Sequence, residues 1–230
     1  MNDTSSRLAA EAIGTFTLVF AGTSAVVADA ELGGVVGHVG IALSFGLALL
    51  VMVYAIGHVS GCHINPAVTL GLAATGRFPA QLVPLYWGAQ LIGAFVASLL
   101  VLAIHGNDTN LGTTLPTGSD LQSFFLEIVL TFLLVFVISG AATDDRALPA
   151  ASGLAIGGTL LLCALFGGPI SGASLNPARS LAPAVVSGTF DSLWLYLIAP
   201  FIGGLLGAFA YAFVRGDPRT VQSAREGESR

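Results

Sequence analysis

The stretch GCHINPAVT at residues 61–69 recurs as GASLNPARS at residues 172–180, 111 positions further along the chain. In each copy Asn-Pro-Ala is followed by a hydroxyl residue two positions later. Proline in the first turn of a helix loses only an N–H that has no partner, and the preceding asparagine can cap that end. Each copy therefore predicts a short helix, over 65–75 in the first case and 176–187 in the second.

The chain around these motifs is apolar and poor in charge. Of 230 residues, 54% are hydrophobic and 9% are charged, with 13 acids, eight bases and a net charge of −5. Soluble domains carry roughly a quarter charged residues, so this composition excludes an ordinary soluble protein, a disordered chain and a nucleic-acid binder. A membrane-spanning helix needs about 20 mostly apolar residues. Six spans are predicted in the lipid bilayer, at 8–28, 38–57, 81–104, 121–141, 151–167 and 192–214.

The two short helices lie between these spans and are too short to cross a membrane, which predicts re-entrant half-helices. The duplication extends upstream, because Glu11 in the first span matches Glu127 in the fourth. Repeat one covers about 7–107 and repeat two about 119–215. Each repeat holds three spans, an odd number, so the second is inverted relative to the first. We expect one all-α membrane channel domain over 1–230, with six transmembrane helices and two half-helices in an inverted 3+3 repeat.

The basic residues predict the orientation of this domain. The positive-inside rule places arginine-rich connections in the cytoplasm. With both termini cytoplasmic, seven of the eight bases lie inside, namely Arg7, Arg77, Arg146, Arg215, Arg219, Arg225 and Arg230. The outer connections carry acids only, namely Asp29, Glu31, Asp108, Asp120 and Asp191. The sequence thus predicts a multi-pass protein of the inner or plasma membrane with a cytoplasmic tail over 216–230, and Arg179 in the second half-helix is the one exception.

Two half-helices that enter from opposite faces bring their positive N-terminal dipole ends together at the membrane centre. Non-helical backbone at that depth has to line a water-filled cavity or lie buried in protein. The carbonyls of 61–64 and 172–175 would then act as acceptors, and the Asn65 and Asn176 amides as donors. Such a lining suits water or a neutral hydroxylated solute, while the dipole ends and Arg179 repel cations, which predicts a passive channel that excludes ions and protons.

The motifs SGCHINPAVT (60–69) and GPISGASLNPARS (168–180) resemble those of the aquaporin, or major intrinsic protein, family. The second is similar to the nodulin-like intrinsic proteins and their bacterial aquaglyceroporin-like relatives, some of which pass glycerol or undissociated metalloid acids. The resemblance implies a homotetramer with one pore per subunit and no cofactor. It implies pore motifs at Asn65, Pro66, Ala67, Asn176, Pro177 and Ala178.

The resemblance also implies a selectivity filter of four residues, Phe45, Ala164, Ala173 and Arg179. Water-selective members usually have histidine at the position of Ala164, so the two alanines predict a wider filter that passes water and small neutral solutes such as glycerol, undissociated arsenite or boric acid. A strictly water-selective aquaporin is the alternative. Further pore-lining residues are expected at Gly61, Cys62, His63, Gly172 and Ser174.

Glu11 and Glu127 leave two interpretations open. As proton-coupling carboxylates they would make the protein a secondary transporter; as buried acids they would accept hydrogen bonds from the re-entrant loops. A symmetric pair, one in each repeat, favours the second interpretation. The sequence clusters no set of metal ligands and no catalytic constellation, so neither a metal site nor an enzyme is indicated, and His38, His58 and His105 have no predicted role.

Overall fold

The computed structural model describes residues 4–106 and 109–216. Over these ranges the regular structure is helical, in eight α-helices: α1 (Thr4–Glu31), α2 (Gly37–Ser60), α3 (Pro66–Ala74), α4 (Val83–His105), α5 (Asp120–Ala141), α6 (Ser152–Ser171), α7 (Pro177–Ser187) and α8 (Leu193–Arg215). Six of them are long and apolar enough to cross a membrane. The predicted fold class is confirmed. The positions predicted for Asp108, Arg219, Arg225, Arg230 and nearly all of the tail lie outside the described residues.

The end of α6 differs from the prediction. The predicted span ends at 167, whereas the helix continues through Pro169 to Ser171. Proline has no N–H, so Pro169 leaves the carbonyl of Leu165 without its helical partner. Nε2 of His38 lies 2.7 Å from that oxygen, and because a carbonyl only accepts, the ring nitrogen donates. A side chain of α2 thus replaces the missing hydrogen bond of α6.

The two repeats pack in the same way. Helix α1 lies along α4, and α5 lies along α8. A Cβ on Gly93 of α4 would overlap the carbonyl of Ala12, and a Cβ on Gly203 of α8 would overlap the carbonyl of Ile128. Glycine therefore permits close backbone approach at the matching point of each repeat. The half-helices α3 and α7 both pack between α4 and α8 and contact each other.

One end of the bundle collects basic residues. Arg7 and Arg77 line one cavity there, and the Arg77 guanidinium lies 5.2 Å from the centre of the Tyr211 ring. Asp144 pairs with Arg146 at 2.8 Å and with Arg215 at 2.9 Å. The side chain and backbone N–H of Arg146 donate to Asp144 and hold the pKa of its carboxyl well below the usual range. All four described arginines predicted to be cytoplasmic therefore lie at the same face.

Candidate pore and selectivity filter

The segments 61–64 and 172–175 connect the long helices to the half-helices in an unusual backbone conformation. Cys62 and Ile64 have φ of 49° and 43°, and Ala173 and Leu175 have φ of 43° and 55°. A side chain in this left-handed region costs roughly 1–2 kcal/mol per residue. Four such residues therefore need strong contacts elsewhere to hold them.

Glu127 of α5 supplies those contacts to the second loop. Its carboxylate accepts from the backbone N–H of Ser174 and of Leu175, both at 2.8 Å, and from Ser171 Oγ at 2.7 Å. The side chain is fully buried. Each oxygen faces donors, so the group fixes the direction in which the loop carbonyls point.

Glu11 of α1 holds the first loop in the same way. It accepts from the backbone N–H of His63 at 2.9 Å and of Ile64 at 2.7 Å, and from Ser60 Oγ at 2.7 Å. Gln90 Nε2 adds a fourth donor at 2.8 Å. The first repeat therefore contains one contact that the second lacks.

Two tyrosines that the sequence analysis missed complete the support. Tyr86 donates to the carbonyl of Ser60 at 2.8 Å, and Tyr196 donates to the carbonyl of Ser171 at 2.6 Å. Both rings are fully buried. The tyrosines lie 110 positions apart, close to the offset of the repeated motif, so extending the repeat alignment downstream would have found them.

The two motif asparagines tie the loops together. Oδ1 of Asn65 accepts from the backbone N–H of Ala67 at 2.8 Å, which identifies the other terminal atom as nitrogen. That Nδ2 donates to the carbonyl of Leu175 at 2.7 Å. Asn176 repeats the arrangement, since its Oδ1 accepts from its own half-helix and its Nδ2 donates to the carbonyl of Ile64 at 2.9 Å. Each amide retains a second N–H, and both asparagines line the passage between the loops.

The rest of the two motifs is structural. Pro66 and Pro177 begin α3 and α7. Ala67 and Ala178 are fully buried and do not line the passage. A Cβ on Gly204 of α8 would lie 2.9 Å from the carbonyl of Ala67, so small residues let the first half-helix approach α8 closely.

A narrow passage runs past the asparagines and is lined by both polar and apolar side chains. The polar lining residues are His63, Asn65, Ser174, Asn176 and Arg179. The apolar lining residues include Leu18, Leu49, Val68, Leu134, Ile138 and Leu160. The lining therefore offers hydrogen bonds and van der Waals contacts together.

The four predicted filter residues meet at one end of this passage. Phe45, Ala164, Ala173 and Arg179 line both the narrow passage and the wider vestibule beyond it, so they form the boundary between the two. The guanidinium carbon of Arg179 lies 4.8 Å from the centre of the Phe45 ring. The two alanines present only methyl groups.

A backbone carbonyl holds Arg179 in place. Its Nη1 donates to the carbonyl of Gly112 at 2.8 Å, and its Nε has no hydrogen-bond partner. The side chain is 3% exposed, and no acid of the described residues forms a salt bridge with it. Arg179 therefore keeps one buried N–H without an acceptor in the protein. Gly112 lies in the irregular segment before α5, and no sequence pattern predicts this contact.

The remaining predicted lining residues lie at different depths. His63 and Ser174 line the narrow passage, where His63 Nδ1 lies 3.2 Å from Thr69 Oγ1. Gly172 lines the vestibule beside the filter. Gly61 and Cys62 line cavities at the arginine-rich end, so the thiol lies on the approach to the passage and outside its narrow part.

The three histidines for which the sequence predicted no role lie in different parts of the structure. His58 lines the cavity at the arginine-rich end. His105 Nδ1 lies 2.8 Å from Glu31 and joins the ends of α4 and α1 at the opposite face. His38 lines the vestibule beside the filter.

Comparisons with known proteins agree with this geometry. A model of the major intrinsic protein family matches residues 2–211, which include both repeated motifs. Aquaporin NIP1-1 of Zea mays is 50% identical over 210 residues, covering 91% of this chain and 74% of that protein. Nodulin-26 of Glycine max is 49% identical over 210 residues, covering 91% and 78%. The X-ray structure of the aquaglyceroporin from Plasmodium falciparum matches with a TM-score of 0.82 at 27% identity, covering 91% of this chain and 96% of that one.

Proposed function

The chain belongs to the major intrinsic protein family, and we propose that its pore passes water, glycerol and undissociated arsenite or boric acid but neither ions nor protons. As a member of this family it is a multi-pass membrane channel for water and small solutes and not an enzyme. The finer proposal concerns which solutes fit the filter and what excludes charge.

The filter composition carries the proposal. Phe45 and Arg179 supply an aromatic face and a cation, while Ala164 and Ala173 leave the rest of the boundary without side chains beyond Cβ. A polyol or a neutral hydroxy acid can donate and accept on the arginine side and pack its other face against the ring. The similarity to the aquaglyceroporin from Plasmodium falciparum supports a solute of this size.

The passage beyond the filter supports the same solutes. Its polar lining includes the Asn65 and Asn176 amides, and its apolar lining accommodates carbon. A hydroxylated solute can therefore exchange its hydration for protein contacts along the whole length, as selective pores require.

Exclusion of charge follows from the centre of the pore. The N-terminal ends of α3 and α7 meet through the hydrogen bonds of Asn65 and Asn176, and each carries roughly half a positive charge. Arg179 adds a full charge, and no carboxylate lines the passage among the described residues. Two asparagine N–H groups that donate to one central water orient it, which interrupts proton transfer along the water column.

Glu11 and Glu127 act as supports for the loops in this proposal. The oxygens of each carboxylate accept from backbone N–H groups, and both side chains are fully buried and do not line the passage. A proton-coupling carboxylate needs access to the transported proton, so the secondary transporter is the less favoured alternative.

We also propose a homotetramer with one pore per subunit, in the inner or plasma membrane. The whole chain forms one channel domain of two repeats. Both termini lie in the cytoplasm, because Arg7 near the start of α1 and Arg215 at the end of α8 lie at the same arginine-rich face.

The test uses purified protein in liposomes and three readouts: stopped-flow light scattering for water and for glycerol, arsenite uptake, and a trapped pH dye for proton flux. We expect downhill flux of water, glycerol and arsenite without proton entry. Ala164→Trp fills the filter and removes all three solute fluxes, while Arg179→Ala keeps them and adds a proton leak. Water flux without glycerol or arsenite uptake would establish a strictly water-selective pore, and accumulation against a gradient that a protonophore abolishes would establish a transporter.

A further inference from the structure

One face of α1 follows the pore, but one position on that face contributes no lining. Leu18 lines the narrow passage, and Val26 lines the vestibule on the far side of the filter. These residues are two turns apart on one helix face. Gly22 lies midway between them, at the level of the filter, yet it is buried and lines neither cavity.

The ring of Phe45 occupies the space that a side chain at position 22 would need. A Cβ built on Gly22 would lie within 3.0 Å of three ring atoms, Cδ1, Cε1 and Cζ. One whole edge of the ring therefore rests on the backbone of α1. The Arg179 guanidinium lies over the same ring, with its carbon 4.8 Å from the ring centre.

We propose that Gly22 is a specificity-determining positioning residue. Because glycine has no side chain, the Phe45 ring packs directly against α1, and the position of the ring sets the width of the outer filter. Gly22 contacts no solute and acts only through the Phe45 ring. The inference rests on the proposed function, because it assumes that the filter is wide enough for solutes larger than water when the Phe45 ring packs against Gly22.

The direction of the effect follows from the packing. A methyl group at position 22 overlaps the edge of the ring, so the ring has to move by more than 1 Å to restore ordinary contact at 3.4 Å. The backbone of α1 blocks movement in one direction, so the ring moves away from α1 and further into the filter that it lines. Glycerol is wider than water and is obstructed first.

The experiment is a double-mutant cycle in liposomes with four proteins: wild type, Gly22→Ala, Phe45→Ala and the double variant. In Gly22→Ala we expect glycerol permeability to fall roughly tenfold, which corresponds to about 1.4 kcal/mol in the barrier at the filter, while water permeability changes little. With Phe45→Ala as background, Gly22→Ala has no effect on either permeability, because no ring is left to displace. Gly158→Ala is the matched control, since a Cβ there meets no atom within 4 Å.

Two outcomes overturn the inference. Unchanged glycerol permeability in Gly22→Ala shows that the ring adapts without entering the lumen. An equal loss with and without Phe45 shows that the substitution damages the bundle in general, which size-exclusion chromatography and thermal unfolding report independently. If the wild type conducts water but no glycerol, the proposed solute range is wrong, and the same cycle is then read from water permeability.

Discussion

Replacing Glu127 with glutamine changes one oxygen of a carboxylate that has only donors around it. The best orientation keeps the carbonyl oxygen toward Ser174 and Ser171 and turns the new NH₂ toward the backbone N–H of Leu175. Two donors then face each other in a fully buried site, at a residue that already has φ of 55°.

The penalty can be worked from these contacts. A buried N–H left without a partner costs about 1–3 kcal/mol, and each of the two remaining bonds loses about 1 kcal/mol with the charge of its acceptor. The sum is roughly 3–5 kcal/mol, which lowers the population of the native loop by a factor of about a hundred or more. Left-handed backbone at Ala173 and Leu175 costs roughly 1–2 kcal/mol per residue and favours rearrangement of the loop.

The assay compares Glu127→Gln with wild type for water and glycerol permeability in liposomes, per amount of folded protein, and for thermal unfolding in detergent. We expect both permeabilities to fall together and the melting temperature to fall with them. Glu11→Gln is the matched variant and should be milder. Its neighbour Gln90 has an Oε1 without a partner, and a flip of that amide presents an acceptor to the new NH₂.

The reasoning is refuted if Glu127→Gln keeps wild-type permeability and stability. A different result would favour the transporter: wild-type accumulation driven by a proton gradient that the glutamine variant loses while downhill water flux stays intact. Equal effects of both glutamine variants would show that Gln90 does not adapt.

Two further predictions concern the arginine-rich end of the protein. A mercurial should block flux through Cys62, which lines the approach to the pore; Cys62→Ser should remove the block, and Cys163→Ser should not, because Cys163 is fully buried. Asp144 has a folded pKa below its unfolded value of about 4, so its pairs stabilise the protein above that pH and this contribution is lost as pH falls below it. Thermal unfolding from pH 7 to 3 should therefore show a difference between wild type and Asp144→Asn that shrinks in acid, and a constant difference would contradict the assigned pairing with Arg215.

The positions of the helices were predictable from sequence because apolar length and proline chemistry are local. Both half-helices begin within one residue of the motif asparagine, where the missing proline N–H costs nothing. The end of α6 was not predictable, because the carbonyl that Pro169 leaves free accepts a hydrogen bond from His38, which is distant in sequence. A local rule cannot include a partner 127 positions away.

The candidate site likewise contains residues that were predictable from the sequence and residues that were not. The motifs and the family resemblance located Arg179 and the asparagines, whose residue types are themselves the signal. Gly112 and Gly22 were missed, since the first acts through a backbone carbonyl and the second through an absent side chain. Neither feature has a pattern in the sequence; both appear only when the neighbouring element is in place.

The two repeats share their supporting contacts and differ at the side chains that the loops present. Carboxylates and tyrosines hold both loops through backbone atoms, so the left-handed conformation does not depend on which side chain stands at Cys62 or Ala173. Substitution at these positions therefore changes the pore without a penalty in loop geometry beyond the ordinary cost of a positive φ. In this chain the second loop contributes Ala173 to the filter, while Cys62 lies at the opposite mouth. Solute selectivity and loop stability thus depend on different atoms, and two substitutions separate them. Gly22→Ala should alter the ratio of glycerol flux to water flux. Glu127→Gln should lower both fluxes together.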